Sequence, residues 1–152
     1  MNIPEIETGL YFWDSSAILP LLVKEDNSEF ILNIYKKHPS LIVWWACEIE
    51  CVSALARLER EQKINSGHMA SAMHRLKLLK EHWHEVLPND IVKELAKRML
   101  RVHTLRAADA QQLAAADFLT ERKTWDVGFV CLDKKLNEAA QKEGIVTICE
   151  VN

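Results

Sequence analysis

The chain has 152 residues, of which 49% are hydrophobic and 27% charged, and its formal net charge is -3. This size and composition predict a single globular domain over 1–152, and the charge excludes a global basic field that would attract nucleic acid. The four glycines form neither a dinucleotide-binding motif nor a P-loop, which argues against nucleotide-driven kinases, ATPases and dehydrogenases.

The sequence begins without the basic stretch and apolar segment of a secretory signal, and no apolar run approaches the ~18 residues that span a bilayer. We therefore expect a cytoplasmic protein with no membrane partner. The cysteines have neither disulfide-framework nor zinc-site spacing, so we expect reduced thiols at Cys47, Cys51, Cys131 and Cys149.

Apolar and amphipathic segments alternate along the chain. The apolar runs predict strands over 9–14, 41–45, 127–132 and 145–148, with a very short strand at 86–87. The amphipathic segments predict helices over about 16–24, 27–38, 47–64, 68–84, 90–102, 105–119 and 134–143. Strands that alternate with helices indicate an α/β fold with a parallel sheet and helices on both faces.

Two of the predicted strands end at an aspartate. Asp14 follows Leu10-Tyr11-Phe12-Trp13, and Asp133 follows the run that ends at Leu132. If these strands lie side by side where the strand order reverses, the two carboxylates share one crevice. The alternative is that each aspartate caps the helix that follows it.

Two further acids lie on otherwise apolar helical faces. Glu50 has the small Ala54 one turn later, and Asp109 is surrounded by alanines in the segment LRAADAQQLAAA. Four acids in one crevice would repel each other and would need a cation to stay ionised. Oxygen ligands without histidine or cysteine favour Mg²⁺ or Mn²⁺, which suits phosphoryl chemistry with water as the nucleophile.

Four segments occur in an order typical of one family: YFWDSSAILPLL, EIECVSALARLER, LRAADAQQLAAADFL and FVCLDKKLNEAAQKEGI. Together they resemble the PIN domain, and in particular the VapC-type toxins of type II toxin–antitoxin pairs. The resemblance covers essentially the whole chain. It implies a PIN-like three-layer α/β/α sandwich with a central parallel sheet of four to five strands, and a Mg²⁺- or Mn²⁺-dependent ribonuclease.

The resemblance also implies the site residues. The catalytic, metal-binding acids of the family match Asp14, Glu50, Asp109 and Asp133. Ser16 matches a residue that supports the metal shell, and Arg106 matches the basic residue before the third acid. Glu48 is a rival for Glu50, which we prefer because its spacing to Ala54 fits the family. Cys131 departs from the threonine that family members often carry.

The implied activity is endonucleolytic hydrolysis of RNA phosphodiester bonds by a metal-activated water. We expect Lys134 and Lys135 at an RNA-contacting rim, a cognate small antitoxin in the cleft, and a homodimer. Two alternatives remain open: a housekeeping PIN nuclease of RNA processing, and a catalytically silent PIN-like module that binds RNA or protein. A phosphatase or response-regulator domain is disfavoured because no second acid accompanies Asp14. Asp117 and Asp126 are expected to be solvated.

Overall fold

Five short parallel strands form the central sheet of the computed structural model, which describes residues 3–149. The strands are β1 (Tyr11–Trp13), β2 (Ile42–Trp44), β3 (His84–Val86), β4 (Gly128–Val130) and β5 (Val146–Ile148). The helices in this part of the chain are α1 (Ser15–Leu22), α2 (Ser28–Lys37), α3 (Cys47–Arg60), α4 (Ser66–His82), α5 (Asp90–Val102), α6 (Ala107–Leu119) and α7 (Lys134–Lys142).

The strand order is β3-β2-β1-β4-β5, and every neighbouring pair is parallel. β2 and β3 therefore extend the sheet on one side of β1, and β4 and β5 extend it on the other side. β1 and β4 are the neighbours at which this order reverses, with Trp13 aligned to Val130. Crevices at such a point, outside the carboxyl ends of the strands, are where ligands bind in open α/β sheets.

Alternating side chains of the strands form two separate hydrophobic cores. Tyr11 and Trp13 belong to the core that α1, α2, α3 and α4 cover, whereas Phe12 and Phe129 belong to the core under α5, α6 and α7. Because successive strand residues point to opposite faces, apolar runs are needed where both faces are covered. The predicted three-layer α/β/α sandwich is confirmed.

Several predicted boundaries were wrong by a few residues. The third strand covers His84–Val86 rather than 86–87, and α3 ends at Arg60 rather than near 64. The early end of α3 coincides with a left-handed backbone at Gln62, whose φ is 59°. Asn89 caps α5, since its side chain accepts a hydrogen bond from the backbone N–H of Val92.

The side chains around the start of α3 differ in burial. Trp44, the last residue of β2, is buried, whereas Trp45 is 47% exposed. Cys47 and Cys51 are buried, free thiols of the core. Among residues 3–149, no helix combines the length and the apolarity that crossing a membrane requires.

Candidate active-site cleft

A cleft of about 490 Å³ opens at the carboxyl ends of β1 and β4. The four acids singled out from the sequence all line it: Asp14, Glu50, Asp109 and Asp133. Asp14 follows β1 directly and Asp133 lies three residues after β4, while the other two reach the cleft from α3 and α6. The structure therefore brings together, from four separate elements, the carboxylates whose convergence the sequence could only suggest.

Asp14 and Asp133 are helix caps as well as lining residues. Asp14 Oδ2 accepts a hydrogen bond of 3.1 Å from the backbone N–H of Ser16, and Asp133 Oδ1 accepts one of 3.0 Å from that of Leu136. These bonds fix the orientation of each carboxylate at the start of its helix. Only one oxygen of each carboxylate accepts the capping hydrogen bond. Each aspartate can therefore cap its helix and also serve as a carboxylate of the cleft.

Glu50 is held across the cleft by a glutamine. Gln112 Nε2, on α6, donates a hydrogen bond to Glu50 Oε2, on α3. Gln112 is 1% exposed, and its Oε1 has no hydrogen-bond partner within the described residues. Burying a side-chain amide with one unpaired atom costs free energy. The hydrogen bond to Glu50 is the polar contact that offsets this cost and stabilises Gln112 at this position.

The cleft disfavours negative charge. Burial raises the pKa of Glu50 to about 7, and the charges of Asp14 and Asp109 add to the rise, while the hydrogen bonds from Gln112 and Ser15 oppose it. Burial also raises the pKa of Asp14, with a further contribution from the charge of Asp109. These shifts are those expected for carboxylates crowded in a partly desolvated site.

The pKa of Asp109 is shifted by neighbours of both positive and negative charge. Burial raises its pKa first, and the charge of Asp133 raises it further, whereas the positive charge of Arg106 lowers it. Arg106 is exposed, stands at the first position before α6 and lies outside the lining of the cleft. Arg106 lowers the pKa of Asp109 first through a hydrogen bond from its backbone and then through its charge, both from the start of the same helix.

A sulfur atom lies behind the two aspartates. Ser16 Oγ donates to Cys131 Sγ (3.6 Å), and Cys131 Sγ donates to Asp14 Oδ2 (3.6 Å). The same sulfur accepts a hydrogen bond of 3.3 Å from the backbone N–H of Asp133, and Ser16 Oγ accepts one of 3.0 Å from Leu132. Burial raises the pKa of the Cys131 thiol well above its usual range, so the thiol keeps the proton that it donates.

The donor set of the cleft fits a hard divalent cation. The five acidic side chains that line it, the four predicted acids and Glu25, all offer oxygen, and the mutual repulsion of the carboxylates would be relieved by positive charge. Within residues 3–149, however, no three histidine, cysteine, aspartate or glutamate side chains are close enough to form a ready-made metal site. The cleft therefore suits a divalent cation in the chemistry of its ligand atoms and in its location.

Comparison with known proteins gives a match in three dimensions. No family model matches the chain, and no curated protein does. VapC20 of Mycobacterium tuberculosis, described as a sarcin-ricin loop cleaving toxin, superimposes with a TM-score of 0.62 at 16% identity, over 85% of this chain and 94% of that one.

Two further solved structures are similar to this chain. FitAcB from Neisseria gonorrhoeae gives a TM-score of 0.62 at 13% identity, over 91% of this chain and 96% of its own. VapBC2 from Rickettsia felis, bound to a DNA fragment from its promoter, gives 0.64 at 9%, over 93% and 99%.

This chain has the fold of the PIN-domain toxins. At such low identities the likeness establishes the fold alone, and the PIN-like sandwich predicted from the sequence is confirmed.

The PIN-like fold places the two rival glutamates of α3 in different surroundings. Glu48 forms an ion pair of 2.6 Å with Lys80 of α4 and lies outside the cleft. Glu50, two residues later, lines the cleft. Two residues on a helix are about 200° apart, so the two side chains cannot serve the same site.

Other charged residues lie away from the acids of this PIN-like cleft. Lys134 and Lys135 are exposed and line two neighbouring depressions instead of the cleft itself. Asp117 is not solvated as predicted: it is 8% exposed and pairs with Lys123. It also receives a hydrogen bond of 2.6 Å at its backbone oxygen from the hydroxyl of Thr120.

Three residues were not selected from the sequence: Glu25 and Arg57, which line the cleft, and Gln112, which contacts a lining residue. Arg57 lines the cleft from α3 and is the one basic side chain among the described residues that do so. It follows Glu50 by seven residues, which is two helical turns, so the spacing could have indicated it. Gln112 follows Asp109 by three residues, but its partner on α3 depends on how two distant helices approach each other.

Proposed function

We propose that this chain is a Mg²⁺- or Mn²⁺-dependent endoribonuclease that acts as the toxin of a type II toxin–antitoxin pair in the cytoplasm. The single observation that carries the proposal is the convergence of four acids in one cleft at the switch point of the sheet. The fold adds support, since VapC20, a sarcin-ricin loop cleaving toxin, shares it. The likeness to VapBC2 and FitAcB supports a cognate antitoxin as partner and leads us to propose a homodimer as well.

The acids are proposed to hold the metal, and the bound ion would supply polarisation of the phosphodiester and activation of water. We assign the ligand oxygens to Asp14, Glu50, Asp109 and Asp133. The cap bonds of Asp14 and Asp133 leave one oxygen of each carboxylate for this role. Gln112 orients Glu50 and favours its charged form, which is the form that binds a cation.

The proposal requires RNA to reach the cleft despite its negative charge. A divalent cation would offset the carboxylates, and Arg57 lies in the cleft where it can contact a phosphate. Ser16 is proposed to keep the metal shell in place through its hydrogen bonds to Leu132 and Cys131.

The test is cleavage of structured RNA, including transfer RNAs, by purified protein free of any bound antitoxin, with Mg²⁺, with Mn²⁺ and with EDTA. Matched pairs of variants on single helices give the sharpest comparison. Glu50→Gln and Asp109→Asn are expected to abolish cleavage, and Glu48→Gln and Asp117→Asn to retain it.

Metal binding is measured separately from cleavage. We expect Mg²⁺ or Mn²⁺ to raise the melting temperature of the wild-type protein, because a ligand that binds only the folded state stabilises it. The rise should be lost in Asp14→Asn. Folded wild-type protein that neither cleaves any RNA of the panel nor responds to either metal would contradict the proposal and favour a catalytically silent module that binds RNA or protein.

A further inference from the structure

A second pocket, of about 510 Å³, lies beside the acidic cleft and has the opposite charge. Its basic lining residues are Lys24, Lys63, His68 and Arg75, and no acid is found among the described residues that line it. We call it the basic pocket. In a chain of net charge -3, a concave surface lined by four basic groups and no acid is a local exception that points to an anionic ligand.

The basic pocket adjoins the acidic cleft. Both border the connection between α1 and α2, where Leu19 and Asn27 line the cleft while Pro20 and Ser28 line the pocket. This connection carries two acids, Glu25 and Asp26, of which Glu25 lines the cleft and neither lines the pocket. A flexible polyanion leaving the cleft would therefore cross one short turn before reaching basic side chains.

α3 links the two sites along its length. Glu50 and Arg57 lie on one face of this helix, about 10 Å apart along its axis at 1.5 Å per residue, and both line the cleft. Lys63, just beyond the end of the helix, lines the basic pocket. The charged residues that line the two sites therefore change, along this helix and just beyond it, from Glu50 to Arg57 to Lys63.

The basic groups of the pocket are placed for phosphate oxygens. Arg75 donates from Nη1 to the carbonyl oxygen of Leu22 at 3.0 Å, which holds the guanidinium at the pocket wall while its other N–H groups remain for a ligand. Lys63 pairs with Glu61 at 3.2 Å, but both side chains are largely exposed, so the pair is weak and exchangeable. The first turn of α4, capped by Asn65, adds the partial positive charge of a helix N-terminus.

We propose that the basic pocket binds the phosphate backbone of the RNA strand that extends from the acidic cleft. This inference rests on the proposed nuclease function and adds a direction to it: the strand runs from the carboxylates past Arg57 toward Lys24 and Lys63. The recognition is of backbone charge, not of base sequence, because the polar side chains of the lining, which stand among apolar ones, are basic groups and hydroxyls.

The experiment measures RNA binding without cleavage. Asp14→Asn protein with Mg²⁺ is titrated into a labelled single-stranded RNA of mixed sequence at several salt concentrations. The test variant adds Lys24→Gln and Lys63→Gln. The control adds Lys93→Gln and Lys97→Gln, which remove the same charge from exposed lysines of α5, on the other side of the sheet. Arg75 is left intact because it contacts the backbone of Leu22.

The test variant is expected to bind about tenfold more weakly at low salt. The slope of log K against log salt should fall by about 1.4, since each lost phosphate contact to a single strand removes about 0.7. The control should keep the parent slope. Equal slopes for test and control, or no RNA binding by the parent protein, would overturn the inference.

The outcome separates this inference from the proposed function. Wild-type protein that cleaves RNA, combined with unchanged slopes, would reject the basic pocket and leave the nuclease standing. A reduced slope in protein that cleaves no RNA would leave the pocket standing and reject the nuclease. If the lysine substitutions weaken binding of a cognate antitoxin while RNA binding is unchanged, the pocket serves a protein partner and the inference is overturned.

Discussion

Gln112 of α6 donates a hydrogen bond from its side-chain amide to the carboxylate of Glu50 on α3. The bond joins helices that cover opposite faces of the sheet, since α3 packs in one core and α6 in the other. It is also the contact that counteracts, more than any other, the burial that raises the Glu50 pKa. The ionisation of Glu50 therefore depends on how closely α3 and α6, which lie in different layers of the fold, approach each other.

Gln112→Leu is expected to move the acid limb of the pH–activity profile upward by about one pH unit. The substitution removes a hydrogen bond to a charged group, worth roughly 1.5 kcal/mol or more, and one pKa unit corresponds to about 1.4 kcal/mol. The pKa of Glu50, already about 7, would rise further. The measurement is kcat/KM for RNA cleavage between pH 5.5 and 9.

Gln111→Leu is the matched control for this change. Gln111 lies beside Gln112 on α6 but accepts its hydrogen bond from Trp44 Nε1, at 3.3 Å, and not from the cleft. This variant is expected to lose some stability without a shift of the profile. If Gln112→Leu lowers activity equally at every pH, its contact with Glu50 does not control ionisation.

Glu50→Gln is expected to stabilise the metal-free protein at alkaline pH. The folded-state pKa of Glu50 is raised, from 4.5 to about 7, so its favourable contribution is complete below pH 4.5 and is lost as the pH rises through 7. At pH 8 in EDTA, the neutral amide should raise the free energy of unfolding by on the order of 1–2 kcal/mol, allowing for the partial exposure of the site.

Urea denaturation at pH 5 and pH 8 measures this difference. The gain should be small at pH 5, where Glu50 is mostly protonated. Glu48→Gln, which breaks the exposed ion pair with Lys80, should show no such gain at either pH. A gain at pH 5 equal to that at pH 8 would show that ionisation of Glu50 does not cause it.

Cys131→Ala is expected to lower RNA cleavage by about tenfold and the free energy of unfolding by about 1–2 kcal/mol. The alanine leaves the backbone N–H of Asp133 and the hydroxyl of Ser16 without the sulfur that they contact, and it removes a donor to Asp14. Cys131→Ser restores a group that donates and accepts, so it should keep most of the activity. Cys149→Ala, at a half-buried thiol outside this network, is the control.

Asp117→Asn is expected to lower stability by about 1–2 kcal/mol while leaving kcat unchanged. Asp117 is buried and pairs with Lys123, so the loss of its charge weakens a structural contact at the end of α6. Asp109→Asn, two turns earlier on the same helix, should abolish cleavage with little loss of stability. A large fall in kcat for Asp117→Asn would place that carboxylate in the reaction.

Much of the fold could be predicted from the sequence because its strands are buried on both faces. Continuous apolar runs such as that before Asp14 are typical of such strands, and the regular alternation with helices allows little except a parallel sheet. The short β3 was misplaced because His84 and Glu85 are polar. This strand lies at the edge of the sheet, where burial no longer selects apolar residues.

The candidate site was predictable only in part, for a geometrical reason. Asp14 and Asp133 are indicated by local sequence, since each follows an apolar run and caps the helix that comes next. The hydrogen bond between Gln112 and Glu50 joins residues 62 positions apart, and the contact of Cys131 with Asp14 spans 117. Such contacts depend on helix placement and strand order, which no local pattern contains.

The order of strands in the sheet has a consequence for folding of the chain during its synthesis. β4 takes its place beside β1 only after β2 and β3 have been made on the other side, and Asp133 follows β4. A partly synthesised chain therefore carries Asp14, Glu50 and Asp109 without the wall that completes their cleft. A growing chain therefore remains without the complete cleft until β4 joins the sheet.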